Sequence, residues 1–211
     1  MAYAVLNGDL ISSRRYGAAR AARLLDQALK AANRRFARAL AAPFMPFQGD
    51  AFQGVFADVP AALDALLWIE ARLEAKGPIG ARYGLGLGRV EGLKNLPAPS
   101  PALLAGNAFI RAEAALKEAK RARLRIVLKG DDPGLDAPYN AAFRLGGHLF
   151  NRWPPELWQR LYLYLESGDL GQVAAREKVS YQAIHKQFKS RGVRDLLEAF
   201  RALKVGLEAR T

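Results

Sequence analysis

Apolar positions recur along this chain in two periods, and the changes between them predict its elements. Tyr3 to Leu6 is a short apolar run of strand formers ending at Asn7-Gly8, which reads as a buried first strand. From Ala18 to Leu40 the period lengthens. Leu24, Leu25, Ala28, Ala32, Phe36 and Leu40 fall at helical spacing, with Arg20, Arg23, Lys30, Arg34 and Arg38 on the other faces and Pro43 as the stop. Phe44–Gln48 and Phe52–Phe56 flank Gly49-Asp50 and read as a β-hairpin. Asp58-Val59-Pro60 opens a second helix whose core face is Leu63, Leu66, Leu67, Ile69 and Leu73, ended by Lys76-Gly77-Pro78.

Residues 82–90 alternate in period two with glycines on one side, a strand that requires a close backbone neighbour. A Pro-rich loop, Pro97 to Pro101, precedes a third helix over Leu103–Arg121 and a last strand over Leu124–Leu128. The order β-α-β-β-α-β-α-β predicts an α+β domain over residues 1–130, with helices on one face of a mainly antiparallel, palm-like or ferredoxin-like sheet. Residues 131–140, rich in Asp, Gly and Pro, read as a linker. Residues 141–211 read as an all-α domain, with helices at Ala141–Phe150, Pro154–Glu166, Leu170–Glu177, Tyr181–Ser190 and Val193–Leu207.

Composition narrows the function classes. The 51% hydrophobic and 25% charged content fits a globular chain. With no cysteine there are no disulfides or thiolate metal sites, and two histidines, His148 and His185, make a histidine zinc site improbable. His148 reads as a linker or core histidine. No apolar run is long enough to span a membrane, and the N-terminus lacks a signal-peptide pattern, so no membrane partner and a cytoplasmic location are expected. A net charge of +12 points to a polyanionic partner, although it is spread along the chain: 12 Lys/Arg and 7 Asp/Glu lie from Tyr139 onward.

Two features carry candidate chemistry. Asp9 follows the first strand and Asp50 sits at the hairpin tip, and this topology places the first strand beside the hairpin. Converging carboxylates suit Mg²⁺ or Mn²⁺, which prefer oxygen ligands and bridge to phosphates. Ser12, Ser13 and Arg14 follow Asp9 and are suitable phosphate ligands, as is the backbone at Gly49. Farther on, Ala174, Val179, Ser180, Ile184 and Phe188 are spaced as in a helix-turn-helix. Ser180 would cap the second helix, and Lys178 stands where a turn residue with positive φ is expected, at a cost of about 1 kcal/mol. The second helix then exposes Tyr181, Gln182, His185, Lys186 and Lys189 to bases and phosphates of DNA. A homodimer is expected, because such readers seldom bury enough surface alone.

The segment Gly49-Asp50-Ala51-Phe52-Gln53-Gly54-Val55-Phe56 resembles the hairpin of class III nucleotidyl cyclases and, more loosely, that of diguanylate cyclases. Closer still, Gly8–Arg14, Gln48–Gly54 and Arg82–Arg89 are similar to three motifs of the SatD family, which also ends in a helix-turn-helix. The cyclase resemblance implies a two-metal site at Asp9 and Asp50 and a nucleotide-binding role near Asn107, at the opening of the third helix. The chain departs from the pattern at several places. Ala51 stands where the SatD hairpin has Glu, and Asn107 where an Asp is typical. Ile110 and Ala114 occupy the cyclase positions of a ribose-binding Asn and a phosphate-stabilising Arg, and Arg111 lies on another helix face. A poor cyclase is therefore expected. The leading expectation is a DNA-binding regulator with a metal-dependent domain for a nucleotide or other phosphate ligand. The alternatives are a nucleotidyl-transfer enzyme using Asp9 and Asp50, and a protein-interaction adaptor.

Overall fold

The computed structural model describes residues 2–47, 49–93 and 99–209, with the side chain of Arg14 left aside. Gln48 and Pro97, named above in the hairpin and the loop, lie outside the described residues. Five strands form one sheet in the order β2-β3-β1-β4-β5: β1 Tyr3–Leu10, β2 Leu40–Phe47, β3 Ala51–Phe56, β4 Ala81–Gly88 and β5 Ile126–Lys129. All neighbours are antiparallel except β4 and β5. The helices are α1 Ala18–Arg35, α2 Ala61–Lys76, α3 Asn107–Ala122, α4 Pro133–Phe150, α5 Pro155–Ser167, α6 Leu170–Glu177, α7 Tyr181–Ser190 and α8 Val193–Glu208. The α+β class expected from the apolar pattern is the one observed.

Strand alternation divides the sheet into two unlike faces. One face carries Ala4, Leu6, Phe52, Phe56, Tyr83, Leu85 and Leu87, which pack with α1 and α2 in the main core. The opposite face carries Val5, Val55, Gly84 and Gly86, and α3 lies across it. Helices on one face thus describes α1 and α2, whereas α3 covers the other side. A Cβ at Gly84 or Gly86 would overlap the α3 backbone at Leu116 and Ala112 or at Ala108 and Ala112. The inward face of α3 is accordingly alanine: Ala108, Ala112, Ala115 and Ala119.

Several boundaries move for physical reasons. Asn7-Gly8 is strand and not turn, because β3 and β4 pair β1 as far as Asp9 and Leu10. The first helix stops at Arg35, and Phe36 and Leu40 reach the same core from the turn into β2. The third helix starts at Asn107, after Gly106 at φ 128°, with a 3-10 turn at Pro101–Leu103 ahead of it. The stretch 131–140 is helical from Pro133: Asp132 accepts from the Gly134 N–H at 2.8 Å and Pro133 fills the first position, a helix start and not a linker.

Helix α2 is buried on nearly every side, between the sheet and α5. It supplies Glu70, wholly buried, which accepts from the Ala81 N–H at 3.0 Å and the Tyr83 hydroxyl at 2.9 Å and pairs with Arg125. Glu74 lies 3.3 Å from the same guanidinium. One cation serves two carboxylates, and burial pushes Glu74 up to about 7. Burial also lowers Arg125 to about 10 and raises Tyr83 well above its ordinary value.

On each edge strand of the sheet one residue is clasped by an asparagine side chain. Asn33 of α1 accepts from the Phe44 N–H at 2.6 Å and donates to the Phe44 carbonyl at 2.9 Å. Asn140 of α4 does the same for Leu128 of β5, at 2.8 and 2.9 Å. Strand β2 also contains Pro43 and Pro46, which lack the N–H of a pairing strand, and two register shifts.

Candidate functional site

The end of the sheet where β1 meets the β2–β3 hairpin gathers the polar residues. Asp9 is opposite Ala51 on one side and Arg82 on the other, so its side chain shares the α3 face with theirs. Lys120, in the last turn of α3, reaches down to Asp9 with Nζ 2.8 Å from Oδ1. Asn7, two residues before Asp9, accepts from the buried Gln53 amide at 2.8 Å. These residues floor a cleft of about 380 Å³ walled by Phe47, Leu104, Phe109 and Leu116, with Glu113 at its side. Arg82 Nε is buried with no hydrogen-bond partner among the described residues.

Asp50 has a different partner. The Ser13 hydroxyl donates to Asp50 Oδ2 at 2.5 Å, and the Leu10 N–H reaches the Asp50 carbonyl at 3.3 Å. These bonds tie the hairpin tip to the 3-10 turn Ser13–Tyr16. Ser12 sits exposed in that junction at φ 56°, and Gly49 turns the hairpin at φ 73°. Ser13 and Asp50 are thus in contact, with Ser12 and Gly49 next to them in the chain, whereas Asp9 is held by Lys120, and the side chain of Arg14 lies outside the described residues.

Asn107 is elsewhere. Its Oδ1 accepts from the Arg89 N–H at 2.7 Å, beside Gly88. Gly88 pairs with Tyr3, six residues and roughly 20 Å along β1 from Asp9. Ile110 is exposed, and Arg111 donates to the Leu87 carbonyl at 2.7 Å, also at that far end.

The two aspartates are a thin donor set for a divalent ion, which takes six or more oxygens. One is neutralised by Lys120 and the other holds a serine hydroxyl. Among the described residues no group of three or more Asp, Glu or His side chains could hold a metal. As they stand, these side chains do not form a ready metal site.

In the C-terminal half, α6 and α7 meet through a three-residue turn. Lys178 adopts φ 55°, as expected for that position. Ser180 Oγ accepts from the Ala183 N–H at 3.2 Å and caps α7. Ala174, Ile184 and Phe188 are buried, whereas Val179, expected between the two helices, is 36% exposed; Val173 of α6 is wholly buried. Tyr181, Gln182, Lys186 and Lys189 are exposed. His185 is half-buried, stacked on Tyr181 with ring centroids 6.0 Å apart, and its Nε2 lies 3.2 Å from the Arg194 guanidinium. Arginine only donates, so that nitrogen accepts. His148 stands exposed on α4.

Sequence reading missed Lys120, Asn7, Gln53 and Arg82. Asn7 and Arg82 had a signal, because each shares the face of Asp9 once strand pairing is assigned. Lys120 had none, since only the packing of α3 brings it there.

No protein-family model matches the chain, and no curated protein matches it in sequence. Two solved structures of a bacterial light-regulated adenylyl cyclase resemble 61% of the chain with a TM-score of 0.45, at 17% and 16% identity. The chain covers 43% of the first of these chains and 75% of the second. At that level the likeness lends nothing to the reading of the side chains above. Among the described residues no helix is long and apolar enough to cross a membrane.

Proposed function

We propose that this chain is a SatD-like DNA-binding regulator, acting as a homodimer, with a site for a nucleotide or other phosphate ligand in its α/β half. The observation that carries the DNA reading is the build of α6, its turn and α7. The turn is capped, the inner face is buried, and the outer face presents Gln182, Lys186 and Lys189. From Lys178 to Arg194 the chain has five Lys/Arg and no Asp or Glu. A helix so disposed presents its N-terminal N–H groups and cations to phosphate and its amide side chain to a base edge. The ligand reading rests on the cleft, where Lys120 stands beside Asp9 over a polar floor of Asn7 and Gln53.

The test is binding of labelled duplex DNA followed by fluorescence anisotropy across a salt series. Replacing Lys186 and Lys189 together by Ala should lower the slope of log affinity against log salt by about 2. Wild-type protein that fails to bind DNA at low salt would overturn the reading.

A second reading, nucleotidyl transfer with Mg²⁺ or Mn²⁺ held by Asp9 and Asp50, rests on both residues lying at the same end of the sheet; Asp50 precedes Ala51, the partner of Asp9, so the two side chains leave alternate positions and a shared ion would require one of them to turn. In that reading a metal would have to displace Lys120. Mn²⁺ binding followed by water-proton relaxation should then be tighter in Lys120→Ala than in the wild type. Equal, negligible binding by both proteins removes this reading.

A further inference from the structure

A second cavity, of about 280 Å³, lies between the sheet half and the helical half, away from the cleft and from α7. Four helices wall it. Phe36 closes α1, Trp68 comes from α2, Tyr164 from α5, and Leu197 and Phe200 from α8. Phe36 meets Trp68 edge to face at 6.2 Å. The size is just below the roughly 300–1,000 Å³ of small-molecule sites, so the occupant is small.

The mouth of the cavity is charged, and most of that charge is committed. Arg35 donates to the Glu166 carboxylate at 2.9 Å and to the Leu165 carbonyl at 2.6 Å. Lys204 lies 2.8 Å from each carboxylate oxygen of Asp64. Arg201, also at the mouth, is exposed and makes no ion pair among the described residues. An aromatic chamber with one uncommitted guanidinium suits a flat apolar body that ends in a single negative charge. A neutral hydrocarbon would leave Arg201 unused, and a polyanion would find no second free cation.

We propose that this cavity binds a small aromatic carboxylate, with its ring beside the partly exposed Phe36, Tyr164 and Leu197, above the buried Trp68 and Phe200, and its carboxylate paired with Arg201. The proposal does not depend on the DNA reading. The site does touch α8, whose Arg194 contacts His185 of α7, so an occupant would bear on the helix against which α7 rests.

The experiment titrates the full chain with 2-naphthoate, read by calorimetry and by tryptophan emission. Saturable one-to-one binding tighter than about 1 mM is expected, with 2-naphthylmethanol about tenfold weaker. Arg201→Gln, a change at an exposed position, should bind the acid and the alcohol equally. Trp68→Phe should keep most of the heat and lose most of the emission change. Leu197→Trp, which fills the chamber, should abolish binding while the melting curve stays cooperative. The proposal is overturned if neither 2-naphthoate nor benzoate binds saturably, or if Arg201→Gln binds naphthoate as the wild type does.

Discussion

The two faces of the sheet are built from alternate residues of the same strands, yet they reach close packing by opposite means. On the α1/α2 face, large rings interlock: Phe44 meets Phe52 and Phe56, with centroids 6.1 and 5.6 Å apart, and Phe52 meets Tyr83 at 6.1 Å. On the α3 face, glycine meets alanine and backbone approaches backbone. Large side chains on both faces would hold α3 away from the strands. Small ones on β4 let it sit low enough for Lys120 to reach Asp9, and they leave room beside it for the cleft. The crowded face supplies most of the buried apolar area, while the sparse face positions polar groups.

The contrast predicts opposite responses to opposite changes. The largest effect belongs to Phe56→Ala on the crowded face, which removes a fully buried ring and should cost about 4 kcal/mol in urea unfolding. On the sparse face the damaging change is addition. Gly86→Val should cost about 3 kcal/mol by the same measurement, although valine is ordinarily the better strand former. Equal tolerance of valine at Gly86 and at an exposed strand position would break the comparison.

A pH test probes the buried pairings behind the crowded face. Glu74 carries a folded pKa of about 7, above the unfolded carboxylate value. The folded state therefore holds a proton that the unfolded state has released. That contribution is full below about pH 4.5 and is lost as pH rises toward 7 and beyond. Melting curves from pH 5 to 8 should show the wild type losing about 2 kcal/mol more than Glu74→Gln, which has no proton to release. Identical pH profiles would show that Arg125 neutralises both carboxylates. The smallest effect is expected at the polar floor. Gln53→Leu strands the Asn7 amide oxygen and should cost about 1 kcal/mol, most of it recovered when Asn7→Leu is added, as a double-mutant cycle would show.

Much of this architecture was legible before any coordinates. The glycine spacing of β4 announced a close neighbour, and the caps and periods of α5 to α8 placed their ends within a residue or two. What escaped was set by tertiary pairing. Asn7-Gly8 has the composition of a turn and is strand only because two neighbours pair it. Asp132-Pro133 looked like a linker because Asp and Pro open helices as readily as they mark loops. At the candidate site, the pairing of the first strand with the hairpin was readable, and the structure adds the contact of Ser13 with Asp50 and the separate partner of Asp9, Lys120. Asn107 was drawn into that group by motif order alone, and the length of α3 carries it to the other end of the sheet.

The two asparagine clamps have a consequence for how the molecule behaves in a crowded solution. An open sheet has two outer strands, each a template on which another chain could add and begin a fibre. Here one donor and one acceptor on each outer strand are already taken, by Asn33 at Phe44 and by Asn140 at Leu128, and the two prolines and register shifts of β2 spoil the remainder of that edge. Strand addition is thereby hindered at both edges, at one residue of β5 and along much of β2.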